Sequence, residues 1–155
     1  MPPGKTETPA ALEDRLAAGE LLDRYPFLVD QGRYEDLAQL FTPDGVIEGP
    51  VGEPGQGRDG ITRFFQASAT RVVEGPLPRL MRHHLTSRTI ELSGDEGSAC
   101  SYFVAFTEGG PDHWGRYRDK LVKADGEWRF RRRLLTVDGF APGSWWERNV
   151  AVGGS

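Results

Sequence analysis

Apolar residues recur at helical spacing through the first third of the chain and at strand spacing through most of the remainder. From Ala10 onward, Leu12, Leu16, Leu21, Leu22, Tyr25, Leu28 and Val29 fall mostly at three- and four-residue steps, which predicts a helix. Pro26 lies inside it, removes a backbone donor and crowds the carbonyl of Leu22, so a kink or two abutting helices is expected. Gly32 stands where a left-handed residue would end the element. A short second helix follows with Tyr34, Leu37, Leu40 and Phe41 on one side, stopped by Thr42-Pro43-Asp44-Gly45. Residues 45–49 leave room for a brief strand, and the glycine-rich residues 50–57 read as a loop over the surface or a pocket mouth. Those glycines do not lead from a strand into a helix in the dinucleotide-binding manner, so no phosphate site is expected. Asp59 can cap a third helix carrying Ile61, Phe64 and Phe65 and fading by about Arg71.

Beyond Pro78 the pattern alternates. Strands are predicted at residues 80–92, 98–107, 113–123 and 127–138, with turns at Asp95-Glu96-Gly97 and Ala124-Asp125-Gly126. Helices first and a run of meandering strands afterwards is the order of an α+β domain with its helices on one face of a mainly antiparallel sheet. Residues 1–9, rich in proline and polar groups, are expected to be disordered; residues 10–140 form the domain, and 141–155 a tail. The tail holds Trp145 and Trp146 side by side. Two adjacent indoles are costly to leave in water, so they are expected to cover a cavity, pack on the sheet or meet another subunit.

Composition narrows the classes. A chain of 155 residues suits one domain with one core. No apolar run is long enough to cross a bilayer, and the N-terminus lacks the apolar segment of a secretory signal, which favours the cytoplasm and no membrane partner. Cys100 is the single cysteine, so an internal disulfide and a cysteine-based zinc site are excluded. A net charge of -4 argues against nucleic acid. Three histidines in two places with scattered acids form no recognisable metal-ligand set, and no metal or cofactor is expected.

Residues 25–44 (YPFLVDQGRYEDLAQLFTPD), 57–65 (GRDGITRFF), 82–91 (RHHLTSRTIE), 115–121 (GRYRDKL) and 125–133 (DGEWRFRRR) together resemble the nuclear transport factor 2-like superfamily, especially its SnoaL-like polyketide cyclase and scytalone dehydratase branches. The resemblance spans nearly all of the ordered chain. It implies a cone, also called a cystatin-like roll: a strongly curved sheet wraps against the N-terminal helices and leaves an apolar pocket inside. It also implies a homodimer. It does not fix the chemistry, since the superfamily includes isomerases, dehydratases, cyclases, epoxide hydrolases and proteins that only bind.

Pattern alone leaves Asp30 as either an exposed acid ending a helix or a pocket group. The resemblance, through the spacing of Asp30, Tyr34 and Leu37, places it in the pocket, where the helix terminus and an apolar wall suit a carboxylate to act as a base. The histidines receive conflicting assignments. An unbroken strand puts His84 on the side of Ile90 and Leu92, whereas the resemblance places His83 in the pocket with Ser87 four positions on; a bulge between them would reconcile the two. We take His83 as the pocket histidine with His84 as its substitute. His113, Tyr117, Asp119 and Leu121 share a parity and face a common space. Tyr25, Tyr102, His113, Tyr117, Asp119 and Trp128 are the candidate substrate contacts, with Tyr102 or Tyr117 placed to polarise an oxygen as a carbonyl enolises. In the arginine run, alternation sends Arg129, Arg131 and Arg133 outward and Arg132 inward, where it can pair with Asp119 or a substrate acid.

Trp114 stands where the dehydratase pattern has a second histidine, and Val29 and Gly49 replace its phenols, so scytalone dehydration itself is not expected. What the resemblance implies is a small cofactor-free lyase or isomerase of secondary metabolism, such as antibiotic biosynthesis. It would be a cyclase, dehydratase or isomerase in which Asp30 and His83 perform acid–base chemistry on an apolar, polyketide-like carbonyl compound. A ligand-binding protein without chemistry is the alternative. Another is an epoxide hydrolase, for which Asp30, Arg116 or Arg118, and Asp119 supply the residue types.

Overall fold

A computed structural model of the chain describes residues 8–70 and 80–151. Helix α1 (Pro9–Asp30) begins where the Thr8 hydroxyl accepts the Ala11 N–H at 3.3 Å, with proline in the first turn, where its missing donor costs nothing. Pro9, expected to belong to the disordered segment, is therefore helical, and residues 1–7 lie outside the described residues. Pro26 does not split the helix. It is buried beside Leu22 and Tyr25, and the packing of that face offsets the lost backbone donor. The C-terminus closes as the glycine foretold: Gly32, at φ 68°, donates to Val29 O, and Arg33 donates to Leu28 O, each at 3.0 Å. This double hydrogen bond fixes the direction in which the last helical residue, Asp30, leaves the helix.

Helix α2 (Tyr34–Ala38) is shorter than expected, because Thr42-Pro43-Asp44-Gly45 does not stop it. Those residues lie inside strand β1 (Phe41–Glu48) and form an irregularity: β1 pairs with β6 at Phe41↔Phe130 and resumes at Val46↔Arg132. Strand β2 (Gly55–Gln56) pairs antiparallel with β1, and helix α3 (Gly57–Thr70) follows; its predicted end near Arg71 lies outside the described residues. Four long strands complete the fold: β3 (Met81–Ser93), β4 (Glu96–Thr107), β5 (Gly110–Ala124) and β6 (Glu127–Phe140). They meander antiparallel in the order β2-β1-β6-β5-β4-β3, with the β1–β6 contact parallel, giving a six-stranded mixed, curved, open sheet. The β3–β4 turn is Gly94-Asp95, slightly earlier than predicted, with Gly94 at φ 60°. Asp125-Gly126 makes the β5–β6 turn with both residues left-handed, the twist that a two-residue hairpin needs.

The core fills the space between the helices and the concave side of the sheet, around Leu22, Tyr25, Leu37, Phe41, Ile47, Ile61 and Phe130. Bulges decide which side chains enter it. In β6 the register passes from Lys120↔Arg132 to Leu121↔Phe130, leaving Arg131 as an extra residue that reverses the alternation. Arg133, not Arg132, therefore points inward. It is fully buried, pairs with Asp119 through two bonds of 2.7 Å, and lies 4.0 to 4.4 Å over the rings of Tyr25, Phe130 and Tyr117. Arg132 is exposed and bonded to Glu48 at 2.6 Å.

Candidate functional site

A cavity of about 500 Å³ opens between α1, α3, the inner face of the sheet and the C-terminal segment. Its walls are mostly apolar: Val29, Tyr34, Val51, Phe64, Phe65, Met81, Phe103, Leu135, Trp145, Trp146 and Val150. Pro50 and Val51 bring the glycine-rich loop to the rim, as the sequence implied. Among these walls stand Asp30, His83, His113 and Tyr117.

Asp30 and His83 meet because two backbone devices aim them. The closing turn of α1 presents Asp30, and the first residues of β3 pass beside it, so that the His83 backbone N–H donates to Asp30 Oδ2 at 3.0 Å. The His83 ring then places Nδ1 2.6 Å from Asp30 Oδ1. An ionised carboxylate only accepts, so Nδ1 carries the hydrogen in this pair, and in the neutral imidazole Nε2 is the ring nitrogen with its lone pair free. The bulge that would reconcile the two histidines is present: Leu85 pairs with Phe103 and Arg88 with Ser101, leaving Thr86 and Ser87 opposite Tyr102 alone. His83 thereby faces the cavity. His84 lies on the opposite face, exposed and edge-on to Phe106 at 5.4 Å, and does not substitute for it.

His113 enters from β5 and faces His83, the two rings 5.7 Å apart. Here too a bulge matters. Ala105 pairs with His113 and Phe106 with Pro111, so Asp112 is an extra residue, and both it and His113 are buried. Asp112 Oδ1 lies 2.8 Å from His113 Nδ1, and its two oxygens also accept the backbone N–H groups of Trp145 (2.7 Å) and Trp146 (3.2 Å). Burial pushes the His113 pKa down to about 4 from 6.5; Asp112 opposes this and the neighbouring His83 adds to it. His113 is neutral at pH 7. Tyr117 stacks on Phe103 at 4.7 Å, and burial, assisted by Tyr25, holds its phenol well above its usual range. It remains a hydrogen-bond donor rather than a phenolate.

The other sequence candidates fall elsewhere. Tyr25 is below the cavity, packed edge-on to Tyr117, Phe65 and Phe130, with burial raising its pKa to about 12. Tyr102 alternates with buried Ser101 and Phe103 and is 54% exposed on the outer face. Asp119 is saturated by Arg133 beneath the cavity floor. Trp128 is buried near the start of α1, its Nε1–H donating to Asp14 at 2.9 Å. None of these four lines the cavity. Arg116 pairs with Asp138 and Arg118 is exposed, so Asp30, these arginines and Asp119 are not brought together as epoxide hydrolysis would require. Asp112 was missed because strict alternation turns it away from His113; its one signal was adjacency to a candidate histidine. The tryptophan pair resolves into one of its three expected places, the cavity wall.

A family model described as "SnoaL-like domain" matches residues 10–134. An uncharacterized protein of Mycobacterium tuberculosis, Rv2910c, is 29% identical over 136 residues, covering 82% of this chain and 87% of that protein. An NTF2-like protein with a cystatin-like fold from Novosphingobium aromaticivorans is 25% identical, with a TM-score of 0.70 over 88% of this chain and 95% of its own. A second structure from that organism, provisionally named a scytalone dehydratase, is 26% identical, with a TM-score of 0.70 over 84% and 87% of the two chains.

Proposed function

The chain belongs to the SnoaL-like domain family, and from that premise we propose that it is a small acid–base enzyme needing no cofactor, a cyclase, dehydratase or isomerase acting on an apolar carbonyl compound. The observation that carries this is the 2.6 Å contact between Asp30 and His83 on the wall of an otherwise greasy cavity. Asp30 holds the His83 ring with Nδ1–H toward itself, so Nε2 takes a proton from the carbon next to the substrate carbonyl, and the carboxylate stabilises the imidazolium that forms. The Tyr117 hydroxyl donates to the carbonyl oxygen as negative charge gathers there. His113, neutral and with its own Nε2 unengaged among the described residues, is placed 5.7 Å from His83 to accept or relay a second proton. Returning the proton to a different atom isomerises the substrate; delivering it to a hydroxyl on the neighbouring carbon expels water. A polyketide-like molecule fits the size and apolarity of the cavity, and the protein works in secondary metabolism, in the cytoplasm and as a homodimer.

Proton exchange on simple ketones tests this chemistry without the natural substrate. Aromatic ketones of one to three rings are incubated with the protein in D2O, and exchange of the protons next to the carbonyl is followed by NMR. Catalysed exchange is expected with the native chain, falling by about 10²-fold or more in Asp30→Asn and His83→Ala, while circular dichroism stays native. Full exchange activity in both variants would remove their assigned roles. Binding of the ketones without exchange would mark a carrier instead of an enzyme.

A further inference from the structure

We propose that Asp112 is a positioning residue that fixes the tautomer of His113 and, with the same carboxylate, moors the tryptophan wall of the pocket. The role given to His113 rests on the acid–base function above, whereas the tautomer and the mooring do not. Asp112 is 2% exposed and has no lysine or arginine bonded to it among the described residues. Its carboxyl oxygens accept two backbone N–H groups instead, Trp145 N at 2.7 Å and Trp146 N at 3.2 Å, and Oδ1 lies 2.8 Å from His113 Nδ1. A second strap ties the same place, with Ala141 N donating to the Asp112 backbone carbonyl at 2.8 Å. The segment held this way lays the Trp146 indole against the His113 ring, with centroids 4.5 Å apart and planes 32° from parallel. Imidazole orientation and wall position therefore share one buried anion. Without it, His113 is free to carry its hydrogen on Nε2, the wrong nitrogen for accepting a proton, and two backbone donors lose their acceptor.

Asparagine separates this from a merely structural role. Asp112 Oδ1 faces both His113 Nδ1 and Trp146 N while Oδ2 faces Trp145 N, so one amide cannot serve all three. With its NH2 toward the ring, His113 Nδ1 becomes the acceptor and Nε2 carries the hydrogen; with its oxygen there, the tautomer stays and Trp145 N loses its acceptor. Ring-nitrogen NMR of the native protein at neutral pH is expected to show His113 as the Nδ1–H tautomer; an Nε2–H form there overturns the proposal without any variant. Asp112→Asn is expected to shift tryptophan emission in either orientation of the amide, and to invert the tautomer where the NH2 faces the ring. With a substrate in hand it is also expected to lower kcat by about tenfold or more while moving KM by less. Unchanged emission in that variant overturns the proposal. Asp30→Asn distinguishes the two claims, since it abolishes exchange if the acid–base function holds yet leaves the His113 tautomer and tryptophan emission as they were.

Discussion

At His113 burial and hydrogen bonding pull in opposite directions, and burial wins. The folded pKa near 4 lies below the ordinary 6.5, so between those values the unfolded chain binds more protons than the folded one. Stability from this group is complete above about pH 6.5 and is lost as pH falls toward 4, at most about 3 kcal/mol for a shift of that size. Thermal unfolding from pH 7 to pH 4.5 is expected to show a steeper loss in the native protein than in His113→Gln, the carboxylates common to both cancelling in the difference. Equal slopes would mean the imidazole is not titrating where its burial requires. At this scale the sequence was informative about residue types. Asp30, His83, His113 and Tyr117 were all singled out, and all four line the cavity. For Asp119 an arginine partner was one expectation, but the guanidinium that occupies its carboxylate is that of Arg133 and not of Arg132.

Elements carry the errors as well as the successes, and the errors share a cause. Alternation along β3, β5 and β6 assigns facing by parity, but each strand contains an extra residue, at Thr86-Ser87, Asp112 and Arg131 respectively. Each reverses the parity beyond it. That is why Arg133 took the interior position expected of Arg132. In its place under Tyr25 and Tyr117, burial works against the Arg133 charge, and the Asp119 carboxylate outweighs it, so the guanidinium remains cationic. Removing one partner strands the other. Arg133→Met or Asp119→Leu alone is expected to cost about 3–5 kcal/mol in urea unfolding, whereas the double replacement recovers most of that loss. Strictly additive losses would show that the two charges do not depend on each other. A residue that seals the floor beneath Tyr117 thus belongs to the scaffold of the site, although it does not line the cavity.

For the molecule as a whole, the consequence of the fold is that one end of the cone is left unfilled. The sheet curves around the helices, and apolar residues from α1, α3 and the strands, packed on the core, turn one side to the cavity. The C-terminal segment, with Trp145 and Trp146, forms the remaining wall. Cutting one indole back to a methyl removes much of that wall. Trp146→Ala is therefore expected to weaken binding of a naphthyl ketone by about tenfold, from the lost apolar contact, with little change in melting temperature. Calorimetric titration measures it, and unaltered affinity would place the ligand elsewhere. Helical periodicity, strand alternation, the left-handed glycine closing α1 and the Asp-Gly turn are local preferences of the chain, and by themselves they determined the α+β order, while Asp30 and His83 as pocket groups came from the sequence's resemblance to a family. Which of two adjacent histidines turns inward, which arginine is entombed, and where the tryptophans come to rest were decided only by tertiary structure, because a strand's facing depends on the register of its partner and a bulge takes its place from both.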